Sequence, residues 1–302
     1  MIPALSILQI CDAVVIEKRI NFAKMNNNNS ILLADHNFDP NAITNRNLLI
    51  KITADSFSYA LLDTDAGKLE VLYDQQECNP AEVFAMCVKT DPNFLLDLQK
   101  IKVSVFSQNL LIIPEALFQN DQPSVYANYF NELDNYSDTL YTNLHAGRSF
   151  KTCFLLPKAV AEIIESGQFA HAEIFGQPSA LLGMVKPIEG RQLILDFSAG
   201  SVFALFFKGA ELQFQNSYII ENDEELTYYL LLIVQQFDLN ARDISVSALG
   251  ILNEGDGRYQ VLERYFKSVN ITEPSTEVTD ITILEDMPKH YYTSLLAIDL
   301  CV

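Results

Sequence analysis

The sequence predicts an α/β (α+β) fold of two pseudo-symmetric lobes, each with a mixed β-sheet flanked by helices. Strands and helices alternate along the chain, with meanders inserted. Two segments, 50–72 (IKITADSFSYALLDTDAGKLEVL) and 194–214 (ILDFSAGSVFALFFKGAELQF), share one order: strand, small polar turn, strand, Gly turn, strand. Helical material follows each. A duplicated β-β-β-α unit implies two lobes and a cleft between them. Aligning Tyr59-Ala60-Leu61-Leu62 with Phe203-Ala204-Leu205-Phe206 sets the repeat offset at 144 (203 − 59). The expected organisation is an N-terminal extension over 1–30, a first lobe over 31–190 and a second over 191–302.

In order, the first block gives strands at 48–50, 57–62 and 68–73, with turns at 53–56 and 63–67. Helices follow at 81–86 and 92–98, the second capped by Asp91 with Pro92 in first helical position. Residues 101–113 alternate as a strand or hairpin ending at Pro114. The stretch 115–130 reads as mostly helical, broken at 120–123, and 131–138 as loop. Strands at 139–145 and 150–156 join around Ala146, Gly147 and Arg148. Pro157 opens an amphipathic helix over 158–166. A strand at 170–175 and a helix at 179–185 lead to the second block. Asn222 or Asp223 caps a helix over 224–237, apolar nearly all round and so expected to be buried. A strand at 244–249, a helix at 258–266 and strands at 278–283 and 295–300 complete the chain.

Composition narrows the function classes. With 302 residues, 49% of them hydrophobic, the chain can bury a large core. A formal charge of -19, without a basic patch, disfavours nucleic acid as a partner. Five unevenly spaced cysteines and four histidines show no zinc spacing, which fits a reducing, cytoplasmic setting. No apolar run has the length of a membrane span. Residues 1–15 lack a basic n-region and a small-residue cleavage site, so a secretory signal is not expected, and Met25 reads as an alternative start.

One constellation carries chemistry. Asp196 closes an apolar strand beside Ser198, Ala199, Gly200 and Ser201. A carboxylate next to a Gly-containing turn with free N–H groups suits a phosphate and its metal ion. Asp is also a common turn residue at a strand end. Ser56, Ser58 and Ser201 lack a nucleophile elbow or a His partner, so serine hydrolysis is unsupported.

The pattern resembles the actin-like ATPase superfamily, with its ribonuclease H-like fold. Asp196-Phe197-Ser198-Ala199-Gly200-Ser201 is similar to that group's second phosphate signature, with Ser198 where a Gly stands. Residues 155–160 and 175–182, including Pro178-Ser179-Ala180, resemble the approach to that turn in actin-like type IV pilus assembly proteins and in the type II secretion L subunit. More narrowly, Phe38-Asp39, residues 48–52, Asp55-Ser56-Phe57-Ser58 and Leu300-Cys301 resemble the uncharacterised bacterial family 3822 of domains of unknown function, itself actin-like in fold. The likeness covers about 31–302.

What the resemblance implies divides two ways. In an active member, Asp196 would hold Mg²⁺, the amides of Ala199, Gly200 and Ser201 would cradle ATP phosphates beside Ser198, Gly250 would lie under the adenosine, and Asp55 would position the attacking group. Such a chain would be an ATPase or a small-molecule kinase. Against this, the 144 offset sets Asp196 against Ile52 and Gly200 against Ser56, and the first turn has no Gly. The adenosine turn keeps only Gly250 and carries bulky Leu249. These departures imply a degenerate, non-catalytic scaffold without cofactor that binds a protein partner.

Overall fold

The computed structural model describes residues 29–119, 124–145, 147–184, 189–275 and 279–302. Most of the expected N-terminal extension, Cys11, the break at 120–123, Ala146, Val185 and Val278 lie outside them. In chain order the elements are β1 (Ser30–Ala34), β2 (Arg46–Ile52), β3 (Phe57–Asp63), β4 (Lys68–Gln75), α1 (Pro80–Thr90), β5 (Lys100–Val105), β6 (Leu110–Pro114), α2 (Ser124–Ala127), β7 (Tyr136–His145), β8 (Phe150–Pro157), α3 (Lys158–Ile164), β9 (Glu173–Gly176) and α4 (Pro178–Met184). There follow β10 (Arg191–Phe197), β11 (Ser201–Lys208), β12 (Glu211–Ile219), α5 (Asp223–Gln236), β13 (Ile244–Gly250), α6 (Gly257–Tyr265), β14 (Ser268–Ile271) and α7 (Thr293–Leu296).

The strands form two mixed sheets, ordered β1-β4-β3-β2-β5-β9 and β12-β11-β10-β13-β14, and a small one, β6-β8-β7. Each large sheet begins as an antiparallel meander and continues with parallel strands reached through helices. Parallel strands need such crossovers and are covered on both faces, which explains the apolar runs 48–50 and 193–195. Alternate side chains divide between the two faces of β2. Leu48, Ile50 and Ile52 meet Phe84 of α1 and Val160 of α3, whereas Leu49 meets α4 and the C-terminal segment. Leu195, Phe206 and Val246 of the second sheet pack under α5 and α6, and the opposite face receives Leu181 and Leu182 of α4. Helix α4 thus touches both sheets, supplying Ala180 to one core and Leu181 to the other.

Several expectations about elements are corrected. Residues 295–300 are helical, not a strand, and Thr282–Leu284 is a 3-10 turn. The run Leu295 to Leu300 is continuously apolar apart from Asp299, so its period is ambiguous. Its buried Leu295, Ile298 and Cys301 recur every third residue and press on the first sheet. Buried Lys102 ties this segment down by donating to the carbonyls of Asp299 and Cys301, both at 2.7 Å. Among the described residues, the helical character of 115–130 reduces to Glu115–Leu117 and α2. Helix α5, capped by Asn222, buries Leu226, Leu230 and Ile233 only. Tyr228, Leu231 and Leu232 face out, because the helix lies on one side of a single sheet.

Candidate functional site

Strands β2 and β10 end side by side in the fold, and each enters a four-residue turn before its antiparallel return. The turns are built alike. Thr53 N donates to Ser56 O at 3.0 Å, and Ser198 N to Ser201 O at 2.9 Å. In each, the first and last hydroxyl oxygens lie 2.6 Å apart. The spacing between equivalent atoms is 145 residues (198 − 53). The sheets agree, since Ile52↔Phe57 corresponds to Phe197↔Val202, and the bulges after Leu61 and Phe206 correspond too. The offset of 144 is therefore one residue short. A one-residue slip turns every side chain to the other face, and correcting it changes the counterparts. Lys51, not Ile52, matches Asp196; Asp55, not Ser56, matches Gly200.

Those two first-block residues reach across to the second block. Lys51 Nζ lies 2.8 Å from Asp196 Oδ2 and also donates to Ser294 Oγ at 2.6 Å. The Lys51 side chain is 12% exposed and that of Asp196 2%, so the ion pair is buried. Asp55 turns into the second turn. Its Oδ2 accepts from Gly200 N at 2.8 Å, and its Oδ1 has Ser198 Oγ at 2.7 Å and Ser201 Oγ at 3.0 Å. The two serine hydroxyls touch, so one donates to the other and the second to the carboxylate. A Cβ on Gly200 would sit 3.0 Å from Asp55 Oδ2, which is why a small residue belongs there.

The rest of the turn is also engaged. Ala199 N donates to Gln76 Oε1 at 3.1 Å. Arg258, in the first turn of α6, donates to Ser198 O at 2.9 Å and to Ala199 O. Gly250, with φ +82°, ends β13 where Ile251 N bonds Phe197 O at 2.9 Å. Leu249 points away, into the small core with Leu181. Asp55, Asp196, Ser198, Ala199, Gly200, Ser201 and Gly250 are thus gathered at one end of the strands. Lys51, Gln76, Arg258 and Ser294 were missed by the sequence reading. Lys51 did carry a signal, because a lone cation inside the run Leu48-Leu49-Ile50-Lys51-Ile52 must find a buried partner.

Asp74, at the end of β4, completes the cluster. Burial pushes its carboxyl up to about 6, against the 2.8 Å hydrogen bond from Gln76 and the nearby Lys51 charge, which lower it; Asp55 adds a smaller upward push. The folded-state value lies above the unfolded one, so the protonated acid is favoured by folding. Stability from this group is complete below about pH 4 and is lost as pH rises through about 6. Asp74→Asn is expected to gain about 1–3 kcal/mol at pH 7 and little at pH 4. Urea midpoints at the two pH values measure it.

The family model described as "Protein of unknown function (DUF3822)" matches residues 35–269. The chain belongs to this family. Two solved structures resemble it. A Bacteroides thetaiotaomicron protein with actin-like ATPase fold and unknown function shares 15% identity over 81% of this chain and 97% of its own, with TM-score 0.64. The PilM-PilN type IV pilus biogenesis complex gives 12% identity over 84% and 97%, with TM-score 0.60. No curated protein matches. This member of the DUF3822 family therefore has an actin-like ATPase fold, as the sequence implies. No helix among its described residues is long and apolar enough to cross a membrane. That fold implies ATP with Mg²⁺, and the residues as arranged do not fit the pair. The turn donors already hold the Asp55 carboxylate, and Asp196, where the resemblance would set the metal, already holds the Lys51 ammonium.

Proposed function

We propose that this chain is a non-catalytic actin-like scaffold that binds a protein partner and works without nucleotide. The Lys51–Asp196 ion pair carries the reading. A carboxylate that must hold Mg²⁺ is neutralised by the chain's own lysine, and bringing in a second cation would mean expelling a buried ammonium. The shared hydrogen bonds of the turns at 53–56 and 198–201 support a duplicated unit. They also favour the two-lobe division at about residue 190, with the final segment strapped back onto the first sheet.

Support for a protein partner comes from the surface. Strand β4 carries β1 on its outer edge, whereas its counterpart β12 has no outer neighbour among the described strands. Beside that lobe Ile219, Tyr228, Leu231 and Leu232 are exposed. Free edges and apolar residues of this kind suit protein contacts. The complex that gave the second structural match is itself an assembly with PilN.

Phosphate release from Mg-ATP tests the reading. Wild type is expected to match a no-protein control. A rate above background that falls with Asp196→Asn would establish the ATP-dependent enzyme instead.

A further inference from the structure

We propose that Asp55 is a built-in anion for the 198–201 turn and Lys51 a built-in cation for Asp196, and that together they latch the two sheets where a nucleotide otherwise would. The proposal rests on the non-catalytic reading and deepens it, by naming what occupies the phosphate and metal positions.

Three observations carry it. The second turn converges on one external carboxylate: the Gly200 N–H and the hydrogen-bonded pair of Ser198 and Ser201 hydroxyls, one of which donates outward, all lie within 3.0 Å of Asp55 oxygens. Oriented amides and hydroxyls of this kind are how proteins hold anions. Next, the signs are those of a phosphate and a metal ion. A negative group fills the phosphate-type turn, and a positive group sits 2.8 Å from the carboxylate that the fold reserves for a metal. Finally, both groups come from the positions that match their targets, since Lys51 is the counterpart of Asp196 and Asp55 of Gly200. The first turn, at 53–56, has no Gly with which to approach a phosphate.

Because the contacts run between the sheets, the latch holds the cleft. Gln76, the residue after β4, adds a neutral contact by accepting from Ala199 N. Removing Asp55 therefore does two things: it frees the turn donors for another anion, and it loosens the junction between sheets without touching either core.

Asp55→Gly and Asp55→Asn, in the full chain, separate these effects. Inorganic phosphate is the probe, read by thermal denaturation at matched ionic strength. Wild type supplies the general kosmotropic rise. Asp55→Gly is expected to show a further, saturable rise in Tm with phosphate. Hydrogen exchange gives the second readout. In Asp55→Asn, which keeps the side-chain size, peptides over 53–56 and 198–201 are expected to exchange about tenfold faster or more, while 48–50 and 193–195 stay unchanged. Equal phosphate response in wild type and Asp55→Gly overturns the built-in anion. Unchanged exchange at both turns, or acceleration spread evenly over both sheets, overturns the latch. If wild type turns over ATP although the Asp55 variants behave as expected, the non-catalytic reading fails and the latch stands. If wild type ignores ATP and the variants leave the turns unaltered, the latch alone fails.

Discussion

Lys51→Met is expected to destabilise the protein by about 3–5 kcal/mol, because it leaves Asp196 buried without its cation. Asp196 has one oxygen on Lys51 and its other oxygen, Oδ1, buried with no hydrogen bond from the described residues. The double variant Lys51→Met, Asp196→Leu is expected to recover most of the loss, since replacing a buried pair by apolar groups is often near neutral. Urea denaturation of the single and double variants gives the coupling energy. A single variant within about 1 kcal/mol of wild type would show that the pair is solvated and weak.

Gly250→Ala is expected to cost at least as much, on the order of 4 kcal/mol, and to weaken the β10–β13 junction. Two terms add. The residue sits at φ +82°, where an L side chain is strained, and its new Cβ would lie 2.1 Å from Phe197 O. That oxygen is backbone, already bonded to Ile251 N, and cannot swing aside as a long side chain would. The chevron unfolding limb and the urea midpoint report the effect. Unchanged stability would mean that the β13 turn does not close on β10 as described.

How much of this was legible in the sequence depended on the range of each signal. The two meanders and α5, with its cap narrowed to Asn222 or Asp223, were readable because alternation, apolar runs and cap residues act locally. Asp196 with its turn was readable from local spacing as well. The 144 offset went astray because it was anchored on the return strands, where both matching runs are apolar and tolerate a one-residue slip. The turns fix the true register through side-chain hydrogen bonds between Thr53 and Ser56 and between Ser198 and Ser201. That single residue hid the meaning of Lys51 and Asp55, whose partners lie about 145 residues away and follow no local rule. The terminal segment failed for a different reason. Its apolar run suits a strand or a helix, and only the first sheet beneath it chooses.

Binding of Mg-ATP to the wild-type protein, measured by isothermal titration calorimetry, tests most directly the claim that the chain fills its own phosphate and metal positions. The expected result is no saturable heat at millimolar nucleotide. Stoichiometric binding with a sub-millimolar Kd, together with displacement of the Asp55 carboxylate from Gly200 N in the complex, would contradict it.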